Sequence, residues 1–162
     1  MPLPLWLNRA TTRRASAIVS VAAGTMTDVG SQGNLQRFHE LRRRLNECHE
    51  VSRALLTDDA EWVNPDDAVE PGTRHGAESF LEAVASVFEG WAESTFEVER
   101  VMERGDDVIA LGQLRTRGRA TGIEATSPQH GEIWTFHAGK VARLRWFNTH
   151  AETLAAAGLD KP

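Results

Sequence analysis

The chain is 162 residues long, which suits one domain large enough to bury a proper core. Its formal charge is -5, and the first 25 residues hold Arg9, Arg13 and Arg14 and no acid, so the remainder stands at -8. That balance argues against nucleic acid or an anionic membrane as a partner, a single cysteine excludes an internal disulfide or a cysteine-based metal cluster, and no run reaches the ~18 apolar residues of a spanning helix.

Thr12-Arg13-Arg14 followed by Ala15 to Ala23 is similar to a twin-arginine export signal, but its apolar part is short and lacks leucine and phenylalanine. Met26 offers an alternative start. Residues 1–25 are read as a disordered or mis-assigned leader, with export as the alternative, and Gly24 to Gly33 as a flexible linker. The protein is thus expected in the cytoplasm, with residues 1–33 outside a single domain spanning 34–159.

From Asn34, a candidate N-cap, Leu35, Phe38, Leu41, Leu45, Cys48, Val51 and Leu55 recur at helical steps. Cys48 falls on the apolar side and is expected to be a buried structural thiol. The run Arg42-Arg43-Arg44 is expected on a solvated face. A short strand follows from Asp58 to Asn64, with Trp62 and Asn64 on one face. Pro65 to Gly76 reads as a polar loop. A second helix buries Phe80, Leu81, Val84, Val87, Phe88 and Trp91.

Strands account for the rest: about Thr95 to Glu103, Asp107 to Gly118, Ile123 to Ala125, and a hairpin beginning at Ser127. Gly105-Asp106 and Ala138-Gly139-Lys140 supply the turns. The hairpin places His130, Glu132, Trp134 and Phe136 on one face of its first strand, and Ala142, Leu144, Trp146 and Asn148 on one face of its second. An alanine-rich helix closes the chain and stops at Gly158. Helices first and a mostly antiparallel sheet afterwards make an α+β domain.

The order and spacing of Leu56-Thr-Asp-Asp-Ala-Glu-Trp-Val-Asn-Pro65, Arg74-His-Gly-Ala-Glu-Ser-Phe80, Gly105-Asp-Asp-Val108, Gly118-Arg-Ala-Thr-Gly-Ile-Glu124, Trp134-Thr-Phe-His-Ala-Gly-Lys-Val141 and Ala151-Glu-Thr-Leu-Ala-Ala-Ala-Gly-Leu159 resemble the SnoaL-like domains of the nuclear transport factor 2-like superfamily. The resemblance covers about Leu35 to Leu159. It implies a cone-shaped α+β barrel, in which a curved, mostly antiparallel sheet wraps around N-terminal helices, and a homodimer through the open sheet face. Relatives often carry Gly-Asp where this chain has Cys48-His49, so the first helix is expected to run on unbroken. The family spans isomerases, cyclases, hydrolases, dehydratases and proteins without a known reaction, so chemistry has to come from the residues present.

Those residues depart from the family's best-known sites. Asn64 stands before Pro65 where ketosteroid isomerases carry their proton-shuttling aspartate, and a carboxamide cannot abstract a proton at neutral pH. It serves either to bond the turn at Pro65 or to donate to a ligand carbonyl. The chain has no tyrosine, so the phenolic donor of the isomerase oxyanion hole is absent. Glu132 falls where those isomerases carry the second acid of that hole. Its two readings are a proton donor in an apolar site, or a carboxylate paired with an arginine such as Arg119.

Trp146 occupies the position at which SnoaL-type cyclases and limonene-type epoxide hydrolases carry an aspartate, and reads as pocket wall or core. His130, two residues from Glu132, is either an acid–base partner or an exposed strand-start histidine. His39, His49, His137 and His150 show no metal-ligand pattern, and no metal or cofactor is expected. Arg115, Arg117 and Arg119 on one strand, and Arg143 and Arg145 on the last, are expected to pair across strands with acids such as Glu97 or Glu99, with anion binding or a charged dimer contact as the alternative.

The expected site is an internal, mainly apolar cavity lined by Trp62, Asn64, Phe88, Glu132, Trp134, Phe136, Trp146 and Asn148. Its ligand would be a small, largely apolar molecule bearing a carbonyl or hydroxyl group, bound without catalysis. The alternative is an isomerase, cyclase or hydrolase that uses Glu132 and His130 as an acid–base pair.

Overall fold

A computed structural model describes residues 29–160, with side chains described for 33–160. The leader expected over residues 1–25 lies outside the described residues. Helix α1 (Val29–Cys48) leads through a 3₁₀ turn (Arg53–Leu55) into β1 (Leu56–Asn64) and β2 (Gly72–His75). Helix α2 (Ala77–Glu89) precedes four long strands, β3 (Trp91–Arg104), β4 (Asp107–Gly118), β5 (Glu124–His137) and β6 (Lys140–Phe147), and α3 (His150–Ala156) ends the domain. The strands form one curved, unclosed sheet in the order β2-β1-β6-β5-β4-β3, antiparallel throughout except for the β1–β6 pair. This is the expected cone-shaped α+β architecture, with β2 and β3 left as free edges. Among the described residues no helix is long and apolar enough to cross a membrane.

The core lies between the inner face of the sheet and α1 and α2. Phe38, Leu41 and Leu45 of α1 and Phe80, Ala83 and Val84 of α2 meet Leu56, Phe96, Val108, Trp134, Phe136 and Leu144 of the strands. Each large side chain fully withdrawn from water contributes about 1.5–3 kcal/mol, so the apolar stripe of each helix holds it against the sheet. A smaller outer cluster of Ile109, Ile133 and Ala157, flanked by Met102 and Phe147, seats α3 on the opposite face. Gly131 makes that seat possible, because a Cβ there would stand 2.0 Å from the Thr153 hydroxyl.

Several local expectations are corrected. Helix α1 begins at Val29, so Asn34 is a buried interior residue whose Oδ1 faces the Arg37 guanidinium at 3.5 Å, and not a cap. The helix does not run on past Cys48: His49 adopts φ 58° and takes the left-handed position usually given to glycine. Cys48 is therefore exposed, and Val51 is the residue that returns to the core. The Pro65–Gly76 loop contains β2, a four-residue edge strand that turn residues on both sides disguise.

β5 is one strand where two pieces were expected. Pro128 and Gln129 together oppose Gln113 between the Gly112–His130 and Leu114–Ser127 pairs, a bulge that tolerates proline. A second irregularity sets Val141, and not Ala142, opposite Phe136 on the inner face. Ala142 instead lines a shallow outer groove of about 630 Å³ with Asp59, Glu61, His75, Thr135 and Arg143.

Candidate functional site

The register lines up the inner face in rows. Glu132 of β5 lies opposite Trp146 of β6 and Ala110 of β4, and Trp134 lies opposite Leu144 and Val108. Trp134 and Phe136 are fully buried, whereas Asn64, Phe88 and Trp146 are half-buried and Asn148 is exposed. The inner face is therefore sealed at the Trp134–Phe136 end and more open toward Asn64 and Asn148.

Glu132 sits between the two ends, and α1 reaches it. Arg42 Nη1 donates to both carboxylate oxygens, at 2.8 and 3.0 Å, and Trp134 Nε1 donates to Oε2 at 2.7 Å. His130 Nε2 stands 3.2 Å from Oε1. Burial is the largest influence on this carboxyl and pushes its pKa up. The Arg42 charge and the hydrogen bonds from His130 and Trp134 outweigh burial and hold it at about 2. Glu132 is thus a carboxylate at neutral pH, with its lone pairs taken by three donors, and it has no proton to give.

Arg42 is itself fixed in place. Its Nη2 donates to Asn46 Oδ1 at 3.3 Å, and its guanidinium lies over the Phe96 ring, 5.3 Å from the centroid. Asn46 in turn accepts from the Phe96 N–H at 3.0 Å and donates to the Phe96 carbonyl at 3.1 Å. The helix is stapled to β3 through the same residue that supports the ion pair. Arg42 is buried, which corrects the expectation of a solvated arginine run; Arg43 keeps to that expectation, bridging Glu40 and Glu47 on the surface. The sequence contained the signal, since Arg42 falls four residues after Phe38 and three before Leu45, on the buried stripe. Arg119, the expected partner of Glu132, donates to the carbonyls of Glu89 and Trp91.

A second polar knot lies at the open end. Asn64 Oδ1 accepts from the indole N–H groups of both Trp62 and Trp146, the latter at 2.8 Å. Its amide donates to the Glu70 carbonyl at 2.7 Å, so the side chain does bond the loop that follows Pro65. Asn148 ties the same loop down by donating to Asp67 at 2.9 Å. His130 joins the two knots: its ring stacks on Trp146 with centroids 6.0 Å apart and meets the Phe96 ring edge-on at 4.9 Å. It is buried, contrary to the exposed strand-start alternative. Phe88 stands apart from this group and stacks on His49 at 4.5 Å. Phe136 borders a different cleft, of about 320 Å³, lined by Gly33, Gln36, Arg37, Glu40 and Leu41 of α1.

Of the arginines on β4 and β6, Arg115 pairs with Glu97 at 3.2 Å, Arg117 with Glu93 and Arg143 with Glu61, as expected, whereas Arg145 Nε is enclosed without a partner among the described residues.

A model of the SnoaL-like domain matches residues 31–144, more than half of the chain. No curated protein sequence matches it. Among solved structures, an NTF2-like protein of unknown function from Burkholderia pseudomallei K96243 is 23% identical, with a TM-score of 0.60 over 76% of this chain and 95% of its own. A protein named as a SnoaL-like polyketide cyclase from Jannaschia sp. CCS1 is 20% identical, with a TM-score of 0.62 over 86% of this chain and 100% of its own. TerC, co-crystallised with polyporic acid, is 20% identical, with a TM-score of 0.60 over 80% of this chain and 99% of its own. At such identities the likeness is one of fold, and it agrees with the curved sheet and helices described above. The domain match, over more than half of the chain, establishes that the chain belongs to the SnoaL-like domain family.

Proposed function

We propose that the protein binds a small, largely apolar molecule bearing a carbonyl or hydroxyl group, and that it does so without proton transfer by Glu132. The observation that supports this reading is the locked carboxylate. Arg42, Trp134 and His130 occupy its oxygens and keep it ionised, which leaves no general acid of the isomerase kind. What remains for a ligand is an aromatic wall of the half-buried Trp146 and the buried Trp62 and His130 around Asn64, at the less sealed end of the inner face. Aromatic surface with a few oriented polar groups is the ordinary composition of a small-molecule site.

Titration with small carbonyl, lactone and epoxide compounds, followed by tryptophan fluorescence, tests this. Apolar members should perturb the emission in the wild type and in Glu132→Gln alike. If no compound does so, the reading fails. The His130–Glu132 contact favours one second reading, an isomerase, cyclase or hydrolase. Turnover of any of these compounds that vanishes in Glu132→Gln while binding persists would establish it.

We further propose a homodimer through the outer sheet face. The shallow groove between β1, β5 and β6, lined by Glu61, Thr135 and Arg143, lies on that face and supports this reading.

A further inference from the structure

Glu132 accepts hydrogen bonds and has none to donate, so the nitrogen that faces it, His130 Nε2, must carry the proton. In a neutral imidazole the other nitrogen, Nδ1, is then a lone-pair acceptor. Among the described residues no donor reaches it. The charges around the ring already balance without a charge on His130, since Arg42 of α1 neutralises Glu132 of β5 at 2.8 Å. The remaining neighbours are uncharged: Phe96 of β3 at the ring edge, Trp146 of β6 on its face, and Gly112 of β4 opposite in the register. His150 of α3 points its own Nε2 at the Gly112 carbonyl, 3.0 Å away, on the far side of that pairing.

The imidazole is also held in one orientation. A Cβ at Gly112 would stand 2.0 Å from the Glu97 carbonyl oxygen and 3.0 Å from the Phe96 ring, so the glycine lets β3 close on β4 where the Phe96 ring meets His130. Trp146 confines the opposite side, and its own N–H is spent on Asn64. Donors at this end are thus largely consumed within the protein: the Trp62 and Trp146 indoles on Asn64, the Asn148 amide on Asp67. The acceptor that remains is one imidazole nitrogen.

We propose that His130 Nδ1 is the atom at which this site reads a ligand hydroxyl, accepting its hydrogen bond, and that Glu132, clamped by Arg42 and Trp134, is the positioning residue that fixes the ring and its tautomer. The proposal rests on the small-molecule reading above and narrows it, from carbonyl or hydroxyl to a hydroxyl-bearing ligand. A carbonyl ligand offers only acceptors and meets a lone pair.

The test uses the full chain with 4-tert-butylphenol and its methyl ether as probes, followed by the indole N–H resonance of Trp146. In the wild type the phenol should bind roughly tenfold more tightly than the ether, the worth of one hydrogen bond. His130→Phe keeps an aromatic ring between Trp146 and Phe96 and should equalise the two affinities, leaving the ether's affinity within about twofold.

Long-range proton–nitrogen spectra of the unliganded wild type supply a measurement that needs no variant. They should show His130 protonated at Nε2, and a mixture of tautomers in Glu132→Gln, whose amide can accept or donate. Equal binding of the two probes by the wild type, a preference that survives His130→Phe, or an Nδ1-protonated ring would overturn the proposal while leaving the small-molecule reading in place. If neither probe moves any tryptophan resonance, the small-molecule reading fails and this one with it.

Discussion

Glu132 and Arg42 form a buried ion pair whose side chains are only 6% and 10% exposed. Breaking such a pair from one side costs about 3–5 kcal/mol, because the remaining charge is stranded in a dry site. The pair also makes a prediction about acid. A carboxyl held at about 2, against an ordinary 4.5, adds stability that is fully present above the ordinary value and is lost as pH falls through about 2. The loss should amount to roughly 3 kcal/mol across that window. Urea unfolding at a series of pH values should show this slope in the wild type and not in Glu132→Gln; parallel pH profiles would contradict it. Glu40, Asp58 and Glu93 are also lowered by hydrogen bonds from arginines, but they lie in solvent and add little to the slope. Glu132 was legible in the sequence as the carboxyl of an aromatic face. Its partner was not, because Arg42 sits in a run of three arginines that composition alone assigns to water.

At the scale of the element, the hairpin turns and the glycine end of α3 were legible because they depend on a few adjacent residues, whereas the cap read at Asn34 and the end of α1 were not. Thr149 and Glu152 form a reciprocal capping box at the start of α3. Gly158, at φ 68°, ends it: the Leu159 N–H reaches the Leu154 carbonyl and the Gly158 N–H reaches that of Ala155. The β5–β6 hairpin turns through Ala138 and Gly139 with φ of 47° and 78°, the primed turn that suits the twist of the flanking strands. Ala138 is the misfit there, since a residue with a Cβ resists the left-handed region. It is exposed, so Ala138→Gly should relieve the cost with no packing loss and raise stability by about 0.5–1 kcal/mol. Thermal unfolding checks this; an unchanged or lower midpoint would show that Ala138 is not strained. The bulges were less legible. A period-two pattern continues through them on paper, yet each adds a residue to one strand and moves those beyond it to the other face, as with Ala142.

For the whole molecule, the sheet does not close, and what covers its outer face governs its behaviour in solution. The pairing of Arg143 with Glu61, which also lies 3.1 Å from His75, puts an arginine and a carboxylate side by side at the outer groove. If that face is the dimer contact, sedimentation velocity should give a dimer at micromolar concentration. Arg143→Glu, which sets two like charges together, should shift it toward monomer, with a midpoint of unfolding that falls on dilution. A monomer at every concentration would remove the dimer from consideration.

Although β2 and the continuity of β5 were missed, sequence alone was enough for the fold class, the hairpin turns, the ending of α3 and the absence of the family's familiar acids from Asn64 and Trp146. These follow from local periodicity, from residues that only certain backbone conformations accept, and from which atoms each side chain carries. The tertiary structure decided what those side chains do. Arg42 and Glu132 are 90 positions apart, and Asn46 reaches the backbone of Phe96 across 50. Only packing α1 onto the sheet brings them within hydrogen-bond distance. A carboxyl in an aromatic setting reads as a proton donor until a cation is placed beside it; with Arg42 there, Coulomb attraction and the hydrogen bonds from His130 and Trp134 outweigh burial, and Glu132 is a fixed carboxylate.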